Sequence, residues 1–262
     1  MPAQARVRQI ALSLERLRWL PHFAPGPLVA VNIPSFRLWA FADASLPDRA
    51  VLVAPVIVGR AMRTETPVFI GAMRYVEFGP YWNVPRSIAR NELLPCLTRD
   101  RGMLARDDME IVDGDGRVST VVDDATLAGL GAGELRLRQR PRAKNALGGV
   151  KFGLPNAMDV YLHATPAREL FERTRRDFSH GCIRVGDPAA LARFVLRDVP
   201  EWSPARIDAA MASWDNRFVS LPAPIPVVVF YTTAVVDSGG QALFLPDIYG
   251  HDRALAGALA RR

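Results

Sequence analysis

The chain has 262 residues, 49% hydrophobic and 23% charged, enough apolar material for one large or two small domains with a real core and too little charge for long disorder. Its formal charge of +6 and pI of about 9.9 suit an acidic partner, nucleic acid or anionic wall polymer alike, although net charge speaks to solubility and non-specific binding and not to fold. Two cysteines, Cys96 and Cys182, exclude a disulfide framework, and the longest apolar run, near Val227–Val236, is too short to span a bilayer.

In chain order, Val7, Ile10, Leu14 and Leu17 fall on one helical face, interrupted by Arg and Glu where a signal peptide needs an unbroken apolar run. If the protein works outside the cytoplasm, its export signal is expected to lie elsewhere. The Pro-rich stretch 21–27 stops that helix. Phe36, Leu38 and Ala40 alternate with Arg37, Trp39 and Phe41 as in a strand. Val51–Val58 reads as a buried strand that Pro55 demotes to an edge or a bulge. Ile111-Val112, an Asp-Gly-Asp-Gly turn and Val118 predict a hairpin. Leu135 and Leu137 alternate with arginines, and Val160 and Leu162 flank Tyr161 just before His163. Val227–Val236, a Ser-Gly-Gly turn at 238–240 and Ala242–Leu245 predict a late hairpin.

Helices are fewer. Thr165-Pro166 predicts a short one. Asp187-Pro188 and Ser203-Pro204 each pair an N-cap with a first-turn proline, ahead of apolar residues at helical spacing. Strands outnumber helices and no βαβ rhythm is visible, so the fold class is mainly β, largely antiparallel, with peripheral helices (α+β). The predicted organisation is an N-terminal helix and linker over 1–26, a central domain over 27–200, and a C-terminal helix and hairpin over 201–262 packed on it.

The informative stretch runs from Tyr161 to Val185, YLHATPARELFERTRRDFSHGCIRV. A histidine ends a strand, and Cys182 follows it by 19 residues in a Ser-His-Gly-Cys turn. Cysteine nucleophiles need a base or ion-pair partner and a fixed orientation for it. Acyl transfer needs donors for the oxyanion. Gly181 admits close approach of a substrate to the backbone, and the N–H groups of His180, Gly181 and Cys182 are able to converge on one oxygen. Arg184 adds positive charge that favours thiolate.

This arrangement resembles the L,D-transpeptidase (YkuD-domain) motif: a histidine, a spacer of somewhat under twenty residues, then Ser/Thr-His-Gly-Cys, a hydrophobic residue and Arg/Asn. The match runs from His163 through Ser179, His180, Gly181, Cys182 and Ile183 to Arg184. VNIPSFRLWAF (31–41), VGRAMRTETPVF (58–69), YWNVPRSI (81–88), LRQRPRAKNALGGVKFGLPN (137–156) and DIYGHD (247–252) look like segments of the larger, murein-linking subgroup. The resemblance implies a β-sandwich in which Cys182 attacks the diamino-acid carbonyl of a tetrapeptide stem and releases D-alanine. The acyl group then passes to an amine of another stem, or to water. It implies His163 as base, the Ala164 carbonyl orienting its ring, His180 and Gly181 shaping the oxyanion turn, and Arg184, Ser179 and Tyr161 binding substrate. No metal or organic cofactor is expected. The implied partners are peptidoglycan stem peptides and carbapenem-type inhibitors, with no nucleic acid and no membrane span in this chain; the implied location is the periplasm or cell envelope. Cys96 has no role in the motif.

Two weaker signals concern the groove. Asn145 to Gly153 is Gly-rich without a phosphate-loop pattern and is expected to line it, and Trp82 and Asn83 either face it or join the core. Competing readings are a papain-like hydrolase, which usually places Cys before His, an inactive wall-binding module, and a metal site of His163, His180 and Cys182, whose His-x-Cys spacing is poor for closed zinc sites. Nucleic-acid binding has only the net charge behind it.

Overall fold

The computed structural model describes every residue except Met1, Pro47, Asp48, Ser238 and Arg262. The first strands are β1 (Leu28–Asn32), β2 (Arg37–Phe41), β3 (Ala50–Gly59) and β4 (Phe69–Phe78). A small sheet follows from β5 (Trp82–Asn83), β6 (Met109–Val112), β7 (Val118–Ser119) and β8 (Arg136–Gln139). The chain then returns through β9 (Val150–Gly153), β10 (Leu162–His163), β11 (Asp177–Ser179), β12 (Ile183–Val185) and β13 (Arg217–Phe230), and ends with the hairpin β14 (Ala234–Val236) and β15 (Ala242–Phe244).

The large sheet runs β3-β12-β10-β9-β4-β13-β1-β2, and β2 pairs back onto β3. The predicted sandwich is therefore one sheet wrapped round on itself, which leaves few free edges. Val29, Val31, Leu38, Val56, Val76, Phe152, Leu162, Ile183 and Val227 point inward and are essentially inaccessible. Most pairings are antiparallel, but β1–β13, β10–β12 and β11–β3 are parallel. Because β13 lies between β4 and β1, the stretch 201–262 supplies an interior strand as well as the outer elements.

Helices lie around this body. They are α1 (Ala3–Leu17), α2 (Arg86–Ile88), α3 (Leu94–Arg99), α4 (Met103–Arg106), α5 (Asp124–Ala132), α6 (Pro188–Val195), α7 (Pro204–Ser213) and α8 (His251–Leu259). The Asp187 and Ser203 side chains cap α6 and α7, accepting from the N–H groups of Ala190 and Arg206. The short helix predicted from Thr165-Pro166 forms only as a 3₁₀ segment, Arg168–Glu172. Both predicted hairpins are present; Ser238, in the late turn, lies outside the described residues.

Two expectations are corrected. Strand β3 is paired on both sides, so Pro55 is not on an edge. The N–H and C=O of one strand residue point the same way, and the Pro55 carbonyl accepts from Gly186, just past the end of β12. The missing N–H faces that strand end, where the ladder stops. In α1 the apolar stripe Val7, Ile10, Leu14 and Leu17 is exposed. The buried residues are Gln9, Leu12 and Ser13, two of them polar: Gln9 donates to the Thr233 and Leu245 carbonyls, and Ser13 accepts from the Thr233 and Ala234 N–H groups. Unpaired backbone groups of the β13–β14 connection dictated that choice, because leaving them buried and unbonded costs more than exposing aliphatic surface.

Residues 82–139 form an insert between β4 and β9. It has its own core of Val84, Ile88, Leu97, Leu104, Ile111 and Leu137, separate from that of the closed sheet.

Candidate active site

Leu162 and Ile183 face each other across the parallel pair β10–β12 and point into the core. Side chains alternate along a strand, so Tyr161, His163, Cys182 and Arg184 all emerge on the outer face. His163 stands beside Arg184 in the register, and Cys182 one step earlier beside Tyr161. The motif's two ends are thus brought together by a parallel crossover.

His163 is buried at 5% exposure. Its Nδ1 lies 2.5 Å from the Ala164 carbonyl. A carbonyl only accepts, so Nδ1 carries the proton and Nε2 keeps its lone pair. Burial first, then the Arg184 charge, lowers the imidazole pKa to about 3, against the opposing pull of the Ala164 carbonyl. The ring is neutral at physiological pH.

Cys182 is half-buried, with Sγ 3.5 Å from the Asp159 carbonyl. Burial pushes its pKa above the usual thiol value, outweighing the opposing pull of the neighbouring Tyr161 and the charge of Lys151. The Arg184 charge favours thiolate, as expected, but does not decide the protonation state. It does reach Cys182, but desolvation wins, so Cys182 rests as a thiol and His163 as a neutral imidazole.

The turn itself depends on glycine. Gly181 has φ of +114°, a conformation other residues rarely adopt. Ser179 Oγ accepts from the Gly181 N–H at 3.2 Å and donates to the Cys182 carbonyl at 2.5 Å. Ser179 is 2% exposed and serves the turn; it does not line the cleft, contrary to its expected role in binding substrate. The Gly181 N–H is committed to Ser179, so the three expected N–H donors do not all face one oxygen. Above the turn lies the β3–β4 loop: a Cβ on Gly181 would meet the Thr64 carbonyl at 3.9 Å and the Glu65 carbonyl at 4.0 Å. Thr64 donates to the Ser179 carbonyl at 3.0 Å.

The cleft has a volume of about 910 Å³. Cys182, Gly181, His180 and Tyr161 form its floor, and Leu147, Lys151, residues 154–156 and residues 158–160 form one wall. Lys151 sits 4.6 Å from the centre of the Tyr161 ring and 3.6 Å from Glu77. The Gly-rich stretch thus reaches the groove through Leu147 and Lys151, while Asn145 is buried and donates to the Pro80 and Arg140 carbonyls. The insert contributes Asn83, Pro85 and Ser87, with Tyr81 just before it; Trp82 packs against the insert's core instead. A π-helical turn, Ala89–Leu93, carries Glu92 to His180 Nε2 at 2.7 Å. Such turns are frequent at functional sites. Arg184, like His163, is absent from the cleft wall. It is largely desolvated, with a buried Nε lacking a partner among the described residues, and lies near Arg60. Its expected role in holding substrate in this cleft is corrected accordingly. Tyr75, Glu65 and Pro67 also line the cleft. Sequence reasoning gave them no role, since no local pattern distinguishes them.

Among the described residues no group of three or more His, Cys, Asp or Glu comes together as a metal site, and no helix is long and apolar enough to cross a membrane. Cys96 is exposed and unpaired.

Residues 26–223 match the YkuD family, described as the L,D-transpeptidase catalytic domain. The chain belongs to that family. A curated protein of Haemophilus influenzae, provisionally named an L,D-transpeptidase, is 34% identical over 251 residues, 95% of this chain and 49% of the relative. This chain thus spans about half the length of the curated relative. Among solved structures, L,D-transpeptidase 3 of Mycobacterium tuberculosis is 15% identical with a TM-score of 0.36, covering 79% of this chain and 61% of the other. The same enzyme with a faropenem-derived adduct gives 15% and 0.36, covering 78% and 60%. These superpositions are loose, and membership of the family rests on the sequence match.

Proposed function

We propose that this YkuD domain is a working peptidoglycan L,D-transpeptidase with Cys182 as nucleophile and His163 as base. The observation that carries the reading is the buried, neutral His163, tied by Nδ1–H to Ala164, on the same sheet face as a cleft-facing Cys182. An inactive binding module has no use for a desolvated imidazole whose proton is fixed on Nδ1.

The proposed reaction has two halves. Sγ attacks the diamino-acid carbonyl of a tetrapeptide stem while its proton passes to His163 Nε2. The C–N bond to D-alanine breaks, the leaving amine takes that proton, and a thioester remains. An amine of a second stem then attacks the thioester carbonyl, giving its proton to His163. The S–C bond breaks, and Cys182 recovers the proton as the crosslink between third-position residues forms. Water as acceptor would give carboxypeptidase activity. Because both groups rest uncharged, proton transfer accompanies attack, which is general-base catalysis in the strict sense. Lys151 brings positive charge to the cleft wall for the carboxylates of the stem. Strained carbapenem-type rings are expected to acylate the same sulfur. The proposed site of action is the cell envelope, where the polymer is.

Incubation with disaccharide-tetrapeptide, followed by mass spectrometry, is expected to show dimer, tripeptide and free D-alanine, all lost in Cys182→Ala and retained in Cys96→Ala. Turnover by a folded Cys182→Ala protein would overturn the assignment.

A further inference from the structure

The catalytic turn is held by hydroxyls whose donors and acceptors can all be assigned, and the chain of bonds leads away from the cleft to the C-terminal segment. The Gly59 N–H donates to Thr66 Oγ1 at 2.8 Å. Thr66 in turn donates its hydroxyl proton to the Gly181 carbonyl at 2.7 Å. The Thr66 N–H donates to the Tyr249 hydroxyl at 3.3 Å, and that hydroxyl gives its proton to the Gly59 carbonyl at 2.6 Å. Thr66 is 1% exposed, so water does not compete for these bonds. Tyr249 is fixed from behind, its N–H donating to the Tyr231 hydroxyl, which donates to Asp247 at 2.6 Å.

The Gly181 carbonyl and the Cys182 N–H belong to one peptide unit. A trans peptide is planar, and its C=O and N–H point in opposite directions; no cis bond occurs among the described residues. Thr66 draws the carbonyl toward the β3–β4 loop, which turns the Cys182 N–H the other way, and that N–H has no backbone or side-chain acceptor among the described residues. Glycine makes this restraint necessary. With φ of +114° at a residue lacking Cβ, nothing local stops the unit from rotating. Thr66 is the contact that holds the carbonyl half of the unit, while Ser179 holds the neighbouring Gly181 N–H and Cys182 carbonyl.

We infer that Thr66, braced by Tyr249, is a positioning residue that aims the Cys182 N–H at the oxygen of the reacting carbonyl. The inference rests on the acyl-transfer reading above. An oxyanion donor acts through pre-set direction, and losing one costs about 10²–10³-fold in rate. A peptide unit free to rotate forfeits much of that without any change at the sulfur.

The test separates the thiol from the donor. Thr66→Val keeps the shape and removes the hydroxyl, Thr66→Ser keeps the hydroxyl, and Tyr249→Phe removes the brace. Each is compared with wild type, all in a Cys96→Ala background that leaves Cys182 as the one thiol, for acylation by a carbapenem, followed by intact-protein mass spectrometry, and for alkylation by iodoacetamide, which needs the sulfur but no oxyanion donor. Thr66→Val is expected to acylate about 10²-fold more slowly or worse while alkylating at the wild-type rate, with Thr66→Ser largely restoring acylation. Tyr249→Phe is expected to show the same selective loss to a smaller extent, and it decides the matter if Thr66→Val does not fold. Wild-type acylation in the folded variants, or equal loss of acylation and alkylation, would overturn the inference. A wild-type protein that alkylates but takes no carbapenem would instead bring down the acyl-transfer reading, and this inference with it.

Discussion

The closed sheet and the insert at 82–139 meet at the cleft but treat their polar groups differently. On the sheet, His163 and Ser179 are nearly inaccessible and their bonds are short and directional. On the insert, Glu92 reaches His180 as a partly solvated pair, with side-chain exposures of 50% and 28%. Groups that must hold a fixed direction during a reaction are placed where packing fixes them. Groups that shape or cover the groove are placed on a unit with a separate core, joined to the turn by a contact that costs little to break. The two histidines, His163 in the sheet and His180 under the insert, are the sharpest form of this contrast.

Exchanging those histidines tests it most severely. His163→Ala is expected to cut turnover by about 10²–10⁴-fold, the usual worth of a positioned base. His180→Ala is expected to cost far less, because its neighbours' backbone remains. Steady-state rates on disaccharide-tetrapeptide check both, and a worse defect in His180→Ala would reverse the assigned roles.

A second consequence is pH-dependent stability. The His163 pKa is lowered from 6.5 to about 3 on folding, so below pH 6.5 the unfolded chain binds a proton that the folded one refuses. Stability is then full above pH 6.5 and is lost as pH falls toward 3, amounting to about 2 kcal/mol at pH 5 relative to pH 7. His251, also lowered by burial, adds in the same direction. Asp177, which burial alone would raise but which its bonds from Arg175 and the Ala61 N–H hold below the usual 3.8, adds stability that is lost in a separate window as pH falls below that value. Denaturant unfolding between pH 7 and 5 is expected to show this loss, and to show less of it in His163→Gln. An identical slope in the variant would mean that His163 is not the desolvated group.

The smallest expected effect lies on the insert. Glu92→Gln removes the charge facing His180 and is expected to raise KM by at most about fivefold with kcat unchanged, the worth of an exposed pair. A fall in kcat matching that of His163→Ala would erase the distinction between the two regions.

Much of the fold was legible because alternation and caps are local signals. The strand at Arg37–Phe41, both hairpins and the helices behind Asp187 and Ser203 all follow from residues within a few positions of one another. The exposed stripe of α1 was misleading for the same reason: periodicity reports that a helix forms, and here polar demand from the β13–β14 connection chose which face to bury. The insert's helices were not legible, since segments of three to nine residues around a π-helical turn carry too few repeats to show a period.

At the site, the sequence by itself determined the chemistry on offer: Cys182, His163, and a Ser-His-Gly-Cys turn whose glycine alone tolerates its φ. Those residues are close in the chain, and their types limit what they can do. The tertiary structure alone decided how they are used. Parallel pairing of β10 with β12 sets His163 beside Arg184 and Cys182 beside Tyr161. Burial, a property of the whole packed sheet, leaves the imidazole neutral and the thiol protonated against the pull of nearby charge. Thr66 reaches Gly181 in the turn across 115 residues of chain, and Tyr249 reaches Thr66 across 183. No spacing rule encodes contacts of that span, because they exist only once the sheet has closed.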